Sequence, residues 1–342
     1  MAKGFTSIDL FAGCGGLTLG MEKAGFKTKV AVEINSSAVA AFKLNHKKTK
    51  VIQKDIREID IAVIKKMLNG KPLHLLAGCP PCQGFSSIRK LNRKKSAVDK
   101  RNSLVTEYFR FVKELKPLTI MMENVPGLKD YYLFKDVVKE LTKLGYNPKV
   151  EVVNVKDYGV PQSRKRLVMV GSLLGEINIA PATNQKVTVR KAIGKLKPVS
   201  KSKDPIHKIH AVHESRILEM IKLIPKNGGG RKDLPKEYIL KCHEGENIGF
   251  NDVYGRLRWD DYSTTITGGC LNPSKGRFLH PNYNRSITAR EAALLQTFPM
   301  SYKFPSNISK TDIALLIGNA LPPKFSLAQS KNIKKHLTEF LG

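Results

Sequence analysis

Cys82 stands at the centre of the run Gly78-Cys79-Pro80-Pro81-Cys82-Gln83-Gly84-Phe85-Ser86, so a thiol is presented on a rigid proline shoulder directly after an apolar stretch. A thiolate at such a place can add to an electrophilic carbon. Cys79 and Cys82 also form a Cys-x-x-Cys spacing, which suits a redox pair or half of a zinc site. A structural zinc site needs about four ligands. Cys14, Cys242, His243 and Cys270 are scattered without a second such pair, so no metal is expected. Farther on, Glu123-Asn124-Val125-Pro126 delivers a carboxylate and an amide after the apolar run Leu118 to Met122. Gln162-Ser163-Arg164-Lys165-Arg166 precedes the apolar run Leu167 to Gly171, and Arg164 and Arg166 alternate, so on extended backbone they share one face.

Strands must carry these groups to a common edge. Leu73 to Ala77 reads as a short buried strand that the prolines end, because proline cannot donate to a sheet ladder. Near the N-terminus, Phe5 to Phe11 reads as an apolar strand, followed by Ala12-Gly13-Cys14-Gly15-Gly16 and an amphipathic helix over Leu17 to Ala24. Glycines there let the backbone pass close to a ligand, and the helix start offers unpaired N–H groups. A second strand, Thr28 to Val32, ends at Glu33, near the roughly 20-residue offset at which an acid grips a ribose diol. A third, Val51 to Gln53, ends near Asp55. The fold class predicted is therefore α/β, a doubly wound and mostly parallel sheet with acids along one edge. Thr18 stands where the dinucleotide fingerprint has its third glycine, so a pyrophosphate cradle and hydride transfer are poorly supported. A cofactor with an adenosine and a carboxylate but no phosphate suits the same edge; S-adenosyl-L-methionine is one.

Charge points to the partner. The 342 residues carry 59 Lys plus Arg against 29 Asp plus Glu, a formal net charge of +30. The excess is spread over 43–54, 89–101, 186–208 and 331–335, as on a wide basic surface, which favours nucleic acid over mere solubility. Five cysteines without disulfide-like spacing fit a reducing cytoplasm. No apolar run approaches the roughly 18 residues of a membrane span, and Met1-Ala2-Lys3-Gly4-Phe5 leads into a strand, so neither membrane nor signal peptide is expected.

Together these residues resemble the DNA (cytosine-5) methyltransferase family, of the bacterial restriction-modification type. The matching blocks run through the chain in the family's order: Phe11-x-Gly13-x-Gly15-Gly16, Pro81-Cys82-Gln83, Glu123-Asn124-Val125 and Gln162-x-Arg164-x-Arg166, then Arg290-Glu291 with Leu295-Gln296-x-Phe298-Pro299, and Gly318-Asn319-Ala320-Leu321-Pro322-Pro323. The resemblance implies a methyltransferase fold with a smaller, irregular, β-rich target-recognition domain. It implies Cys82 as the nucleophile that adds to cytosine C6, Glu123 at N3 and the exocyclic amine, and Arg164 and Arg166 as cationic donors, with Arg166 at the cytosine O2. It assigns Phe11, Gly13, Gly15, Gly16, Glu33, Ile34, Asp55, Ile56, Pro81, Leu104 and Asn319 to the S-adenosyl-L-methionine pocket. Ile34 departs from the aromatic residue that many relatives carry, so stacking there becomes aliphatic packing.

A ring carbon inside a duplex is out of reach of a thiol, so the target base must leave the stack. The basic segment Ser87 to Arg101 then suits a loop that closes on phosphates. Gln83, Ser86, Arg89, Arg101, Gln162, Arg231, Arg256 and Arg258 are the expected contacts to double-stranded DNA. The domains expected are 1–178 for cofactor and catalysis, 179–284 for recognition, and 285–342 for a helix and a C-terminal return, with Thr288-Ala289-Arg290-Glu291 as a capping box. The resemblance implies a monomeric, cytoplasmic enzyme whose restriction endonuclease is a genetic partner only. A tRNA cytosine-5 methyltransferase is the enzymatic alternative, although that branch's Cys-Phe-Thr signature is absent; an inert DNA-binding relative is the non-enzymatic one.

Overall fold

A computed structural model of the chain describes residues 4–81, 104–183, 185–238 and 252–342. Cys82, Gln83, Ser86, Arg89, Arg101 and the basic segment 87–101 lie outside the described residues. The chain divides into two compact units, the first Met1–Tyr158, Lys165–Asn184 and Leu321–Gly342, the second Gly159–Arg164 and Gln185–Ala320. Residues 285–320, expected to go with the C-terminal return, thus share a unit with the recognition segment.

The first unit holds a seven-stranded sheet. Its strands are β1 (Thr6–Leu10), β2 (Lys27–Val32), β3 (Lys50–Ile52), β4 (Leu75–Gly78), β5 (Thr119–Asn124), β6 (Lys149–Asn154) and β7 (Lys165–Ser172), in the order β3-β2-β1-β4-β5-β7-β6. The pairings among β1 to β5 are parallel, while β7 runs antiparallel to both β5 and β6. Strand order reverses between β1 and β4, the switch point at which ligands of doubly wound sheets bind.

Helices cover both faces, as a parallel sheet requires. Helices α1 (Gly16–Ala24) and α2 (Ser36–Asn45) follow β1 and β2; α3 (Ile61–Leu68), α4 (Leu104–Leu115) and α5 (Tyr132–Lys143) come later. Ile8, Leu10, Val30, Val32, Leu76, Ile120 and Met122 alternate along their strands onto the core shared with α3, α4 and α5. Helix α4 buries Leu104, Val105, Tyr108, Phe111 and Val112, a stripe at the helical period. On the other face Ala31 meets Phe42 of α2.

The second unit contains α6 (Val189–Ile193), α7 (Ser215–Leu223), α8 (Ala289–Leu295) and α9 (Lys310–Asn319). The chain then returns to the first unit as α10 (Pro323–Leu341), which packs along α1. The two helices approach so closely at Gly20 that a Cβ there would run into Ser326, whose hydroxyl donates to the Leu17 carbonyl at 2.7 Å.

The recognition segment is irregular as expected, but not β-rich among the described residues. Only isolated bridges occur there, Gln162 with Ser263 and Leu279 with Arg256 and Ser286. Without a ladder, buried carbonyls need other donors. Arg256 supplies them: it is fully buried, and its guanidinium donates to the carbonyls of Ile221, Ile224, His280 and Tyr283 at 2.7–3.0 Å. Arg277 serves the carbonyls of Gly228 and Arg256 in the same way, each at 2.9 Å. The capping box forms, Thr288 Oγ1 accepting from the Glu291 N–H and Glu291 Oε2 accepting from the Thr288 N–H, and Arg285 clamps Glu291 with two bonds of 2.8 Å.

Candidate active site

The carboxyl edge of the sheet at the switch point opens into a cavity of ≈ 290 Å³ lined by Phe11, Glu33, Ile34, Asp55, Ile56, Pro81 and Leu104, all expected there, together with Val32, Lys54 and Arg57. Each strand end explains its contribution. After β1 the chain turns through Phe11, Gly13 and Gly15 at positive φ (61°, 54° and 94°), a geometry cheap for glycine and strained for Phe11. Gly15 caps α1 and Gly16 is its first residue. The turn brings the Gly13 N–H to 2.8 Å from Glu33 Oε2, while the Asn35 N–H donates to Glu33 Oε1 at 2.8 Å. Glu33 is thereby fixed at the end of β2 by two backbone donors.

Ile34, 61% exposed, offers an aliphatic platform on this cavity. Asp55 caps the turn 56–58 and binds Arg57, whose guanidinium and backbone N–H hold its carboxyl down at about 2. Lys54 and Arg57 escaped the sequence reading, in which nothing marked them apart from the surrounding basic residues. Asn319 ends α9 in the second unit.

Glu123 is the penultimate residue of β5 and Arg166 the second of β7; because β7 runs antiparallel to β5, a strand start reaches the same edge as a strand end. Arg166 Nε lies 2.7 Å from Glu123 Oε1, with the two side chains only 13% and 9% exposed. Burial pushes the Arg166 guanidinium below its ordinary value, opposed by the Glu123 carboxylate. Asn124, whose role the sequence did not disclose, donates through Nδ2 to the Pro80 carbonyl at 2.8 Å and accepts from the Val125 N–H. It latches the start of the Pro80-Pro81 loop to β5. Cys79 precedes that loop; burial, then Glu123 and Asp9, push its thiol well above the ordinary value. It stays protonated.

Two expected site residues turn out to be struts. Arg164 is buried and donates to the carbonyls of Ile266 and Gly318 at 2.9 Å, so it braces the second unit and does not join Arg166. Gln162, expected on DNA, is fully buried: it donates to Gln296 Oε1 at 2.7 Å and accepts from the Ile266 N–H at 2.8 Å. Of the other expected DNA contacts, the Arg256 guanidinium is committed to its carbonyl cage and Arg231 is buried at 7% exposure. Arg258 remains exposed.

Asp9, on β1, is fully buried; Thr18 Oγ1 donates to its Oδ2 at 2.5 Å, and Oδ1 has no hydrogen-bond partner. Burial, with Glu33 and Glu22 adding, raises its carboxyl from 3.8 to about 7 against the Thr18 bond. The folded chain therefore holds a proton that the unfolded chain releases between those values. The stabilisation is complete below the unfolded value and is lost as pH rises through about 7. Asp9→Asn keeps an acceptor for Thr18 and removes the titration. Relative to that variant, the wild type should lose on the order of 4 kcal/mol between pH 4 and pH 8 in urea unfolding. Parallel stability curves would show that Asp9 does not hold the proton.

Fold and cavity together define a doubly wound α/β enzyme of the methyltransferase class. The family model for C-5 cytosine-specific DNA methylases matches residues 5–335. The chain is 36% identical to the type II methylase M.HgiDII of Herpetosiphon aurantiacus, over 96% of this chain and 95% of that protein. It is 32% identical to the type II methyltransferase M1.HphI of Haemophilus parahaemolyticus, over 96% and 87% respectively. Among solved structures, an Escherichia coli prophage protein described as a DNA modification methyltransferase superposes with a TM-score of 0.76 at 25% identity, over 98% of this chain and 99% of that one. The chain belongs to the C-5 cytosine-specific DNA methylase family. No helix among the described residues is long and apolar enough to cross a membrane.

Proposed function

We propose that the protein transfers a methyl group from S-adenosyl-L-methionine to C5 of a cytosine flipped out of double-stranded DNA, as the protective arm of a restriction-modification system. The observation that carries this reading is the shared edge: Pro81 lines the Glu33–Asp55 cavity, and the loop it belongs to is latched by Asn124 next to the Glu123–Arg166 pair. The cavity fits the cofactor's adenosine, with Glu33 for the ribose hydroxyls, Asp55 for the adenine amine, and Phe11, Ile34, Ile56 and Leu104 as apolar walls. Bound there, S-adenosyl-L-methionine supplies an electrophilic methyl group.

Cytosine C5 is too weakly nucleophilic to take that group unaided. The Cys82 thiolate adds to C6, and Glu123, oriented by Arg166, holds N3 and the exocyclic amine as negative charge develops on the ring. The ring's electron pair would then take up the methyl group at C5 as the sulfonium–methyl bond breaks, its electrons staying on the sulfur of the departing thioether. Loss of the C5 proton to a base expels Cys82 from C6 and restores the aromatic ring. Arg166, the remaining cation of the motif at this edge, fits the cytosine O2.

Bisulfite sequencing of plasmid DNA from expressing cells should show methylcytosine at one position of a fixed short sequence. Methyl incorporation into tRNA with none into duplex DNA would overturn the reading. Ile34→Trp should tighten cofactor binding by roughly threefold to tenfold, the worth of an aromatic stack. Calorimetry showing unchanged affinity would remove position 34 from the adenine face.

A further inference from the structure

A second cavity, of ≈ 460 Å³, lies wholly within the second unit, and Lys275 and Lys310 supply the only formal charges among its described lining residues. No carboxylate lines it, and neither lysine has a described partner. Ala211, Leu271 and Ala314 give it apolar walls. His213 faces it as well: Nε2 is buried without a hydrogen-bond partner, and burial, His210 and Lys310 hold the imidazole below its ordinary value. The walls are set by close packing at two glycines. A Cβ on Gly269 would come 2.9 Å from Lys275 Cβ, and one on Gly268 would come 2.6 Å from Leu315 of α9. The lysine stem therefore lies across the glycine backbone.

This chemistry matches neither the first cavity, where the acids Glu33 and Asp55 stand beside Lys54 and Arg57, nor a metal site. Apolar walls beside two ammonium groups and an imidazole nitrogen that lack a partner among the described residues suit a deoxyribose flanked by its phosphates. It also resolves a deficit, because burial withdraws Arg231 and Arg256 from the phosphate contacts expected of this unit. We propose that this cavity takes one sugar–phosphate unit of the DNA strand, with Lys275 and Lys310 on the phosphate oxygens and His213 Nε2 as a third polar contact. The proposal rests on the reading of the protein as a DNA methyltransferase.

The test is duplex binding by the full chain at several salt concentrations, comparing wild type with Lys275→Gln/Lys310→Gln. The slope of log affinity against log salt should become shallower by about 2 in the variant, with binding near 0.1 M salt weaker by roughly tenfold or more. Cofactor affinity and thermal midpoint should not change, and Lys275→Arg/Lys310→Arg should keep the wild-type slope. An unchanged slope in the glutamine variant overturns the proposal. If that variant fails to fold, His213→Gln serves instead: it should weaken duplex binding without altering the slope, and wild-type affinity overturns the proposal. Binding of deoxyadenosine monophosphate that is lost in the variant while the duplex slope stays intact would mark a free-nucleotide site, which also overturns it. Methyl incorporation into duplex DNA by the same wild-type preparation reports on the enzyme activity separately. Its absence alongside a slope loss would refute the proposed function and leave the cavity assigned.

Discussion

Cys82→Ala should lower methyl transfer on the order of 10⁴-fold or more while retaining duplex and cofactor binding, whereas Cys79→Ala should stay within about threefold of wild type. The two thiols differ in what surrounds them. Cys79 sits where burial and the acids Glu123 and Asp9 all oppose ionisation, so it cannot present a thiolate near neutral pH. Cys82 follows Pro81 in the sequence and is the thiol that the family resemblance makes the nucleophile, so attack falls to it. Duplex DNA containing 5-fluorocytosine provides the readout, because replacing the C5 proton blocks elimination and leaves the protein attached to the ring. The wild type and Cys79→Ala should form a complex that survives denaturing gels, and Cys82→Ala should not. Trapping lost in Cys79→Ala but kept in Cys82→Ala would reverse the assignment.

Glu123→Gln should lower kcat by roughly 10²- to 10³-fold with little change in thermal midpoint, because the amide keeps the shape and an acceptor for Arg166 but has no carboxyl proton to share with N3 as negative charge develops on the ring. Arg166→Ala should do worse. It strands a carboxylate that is only 9% exposed, and removing one partner of such a buried pair costs about 3–5 kcal/mol. A stability loss should therefore accompany the rate loss in Arg166→Ala and be nearly absent in Glu123→Gln. Comparing kcat with the unfolding midpoint in both variants separates the two effects. Wild-type kcat in Glu123→Gln would remove that residue from the chemistry.

The cofactor edge was legible in the sequence because its determinants are local. Glycines mark the turn after β1, and Glu33 and Asp55 stand at the ends of apolar runs, so the cavity collects residues that sequence spacing already placed at strand ends. Strand direction is not written locally. Nothing in the sequence of Lys165 to Ser172 says that β7 runs against β5, yet this orientation is what gives Arg166 to Glu123. Alternation along an extended chain likewise put Arg164 on the face of Arg166. Its guanidinium instead answers the carbonyls of Ile266 and Gly318, 102 and 154 positions away. An arginine in a loop can meet a phosphate or a buried carbonyl, and where no sheet ladder forms the carbonyls can claim it: Arg256 is buried among them, whereas Arg258 is exposed.

Helix α10 carries a consequence for how the chain is made. It covers α1 although it follows the second unit in the chain, and every residue of that unit lies between the two main parts of the first. A ribosome therefore releases the nested unit complete while the nucleotide-binding sheet still lacks the helix that closes one of its faces. Apolar Leu17 and Met21 must wait uncovered until Phe325 and Ile333 emerge. The first unit cannot mature from its N-terminus onward as domains usually do during synthesis. A modification enzyme built this way becomes competent only once α10 has been made.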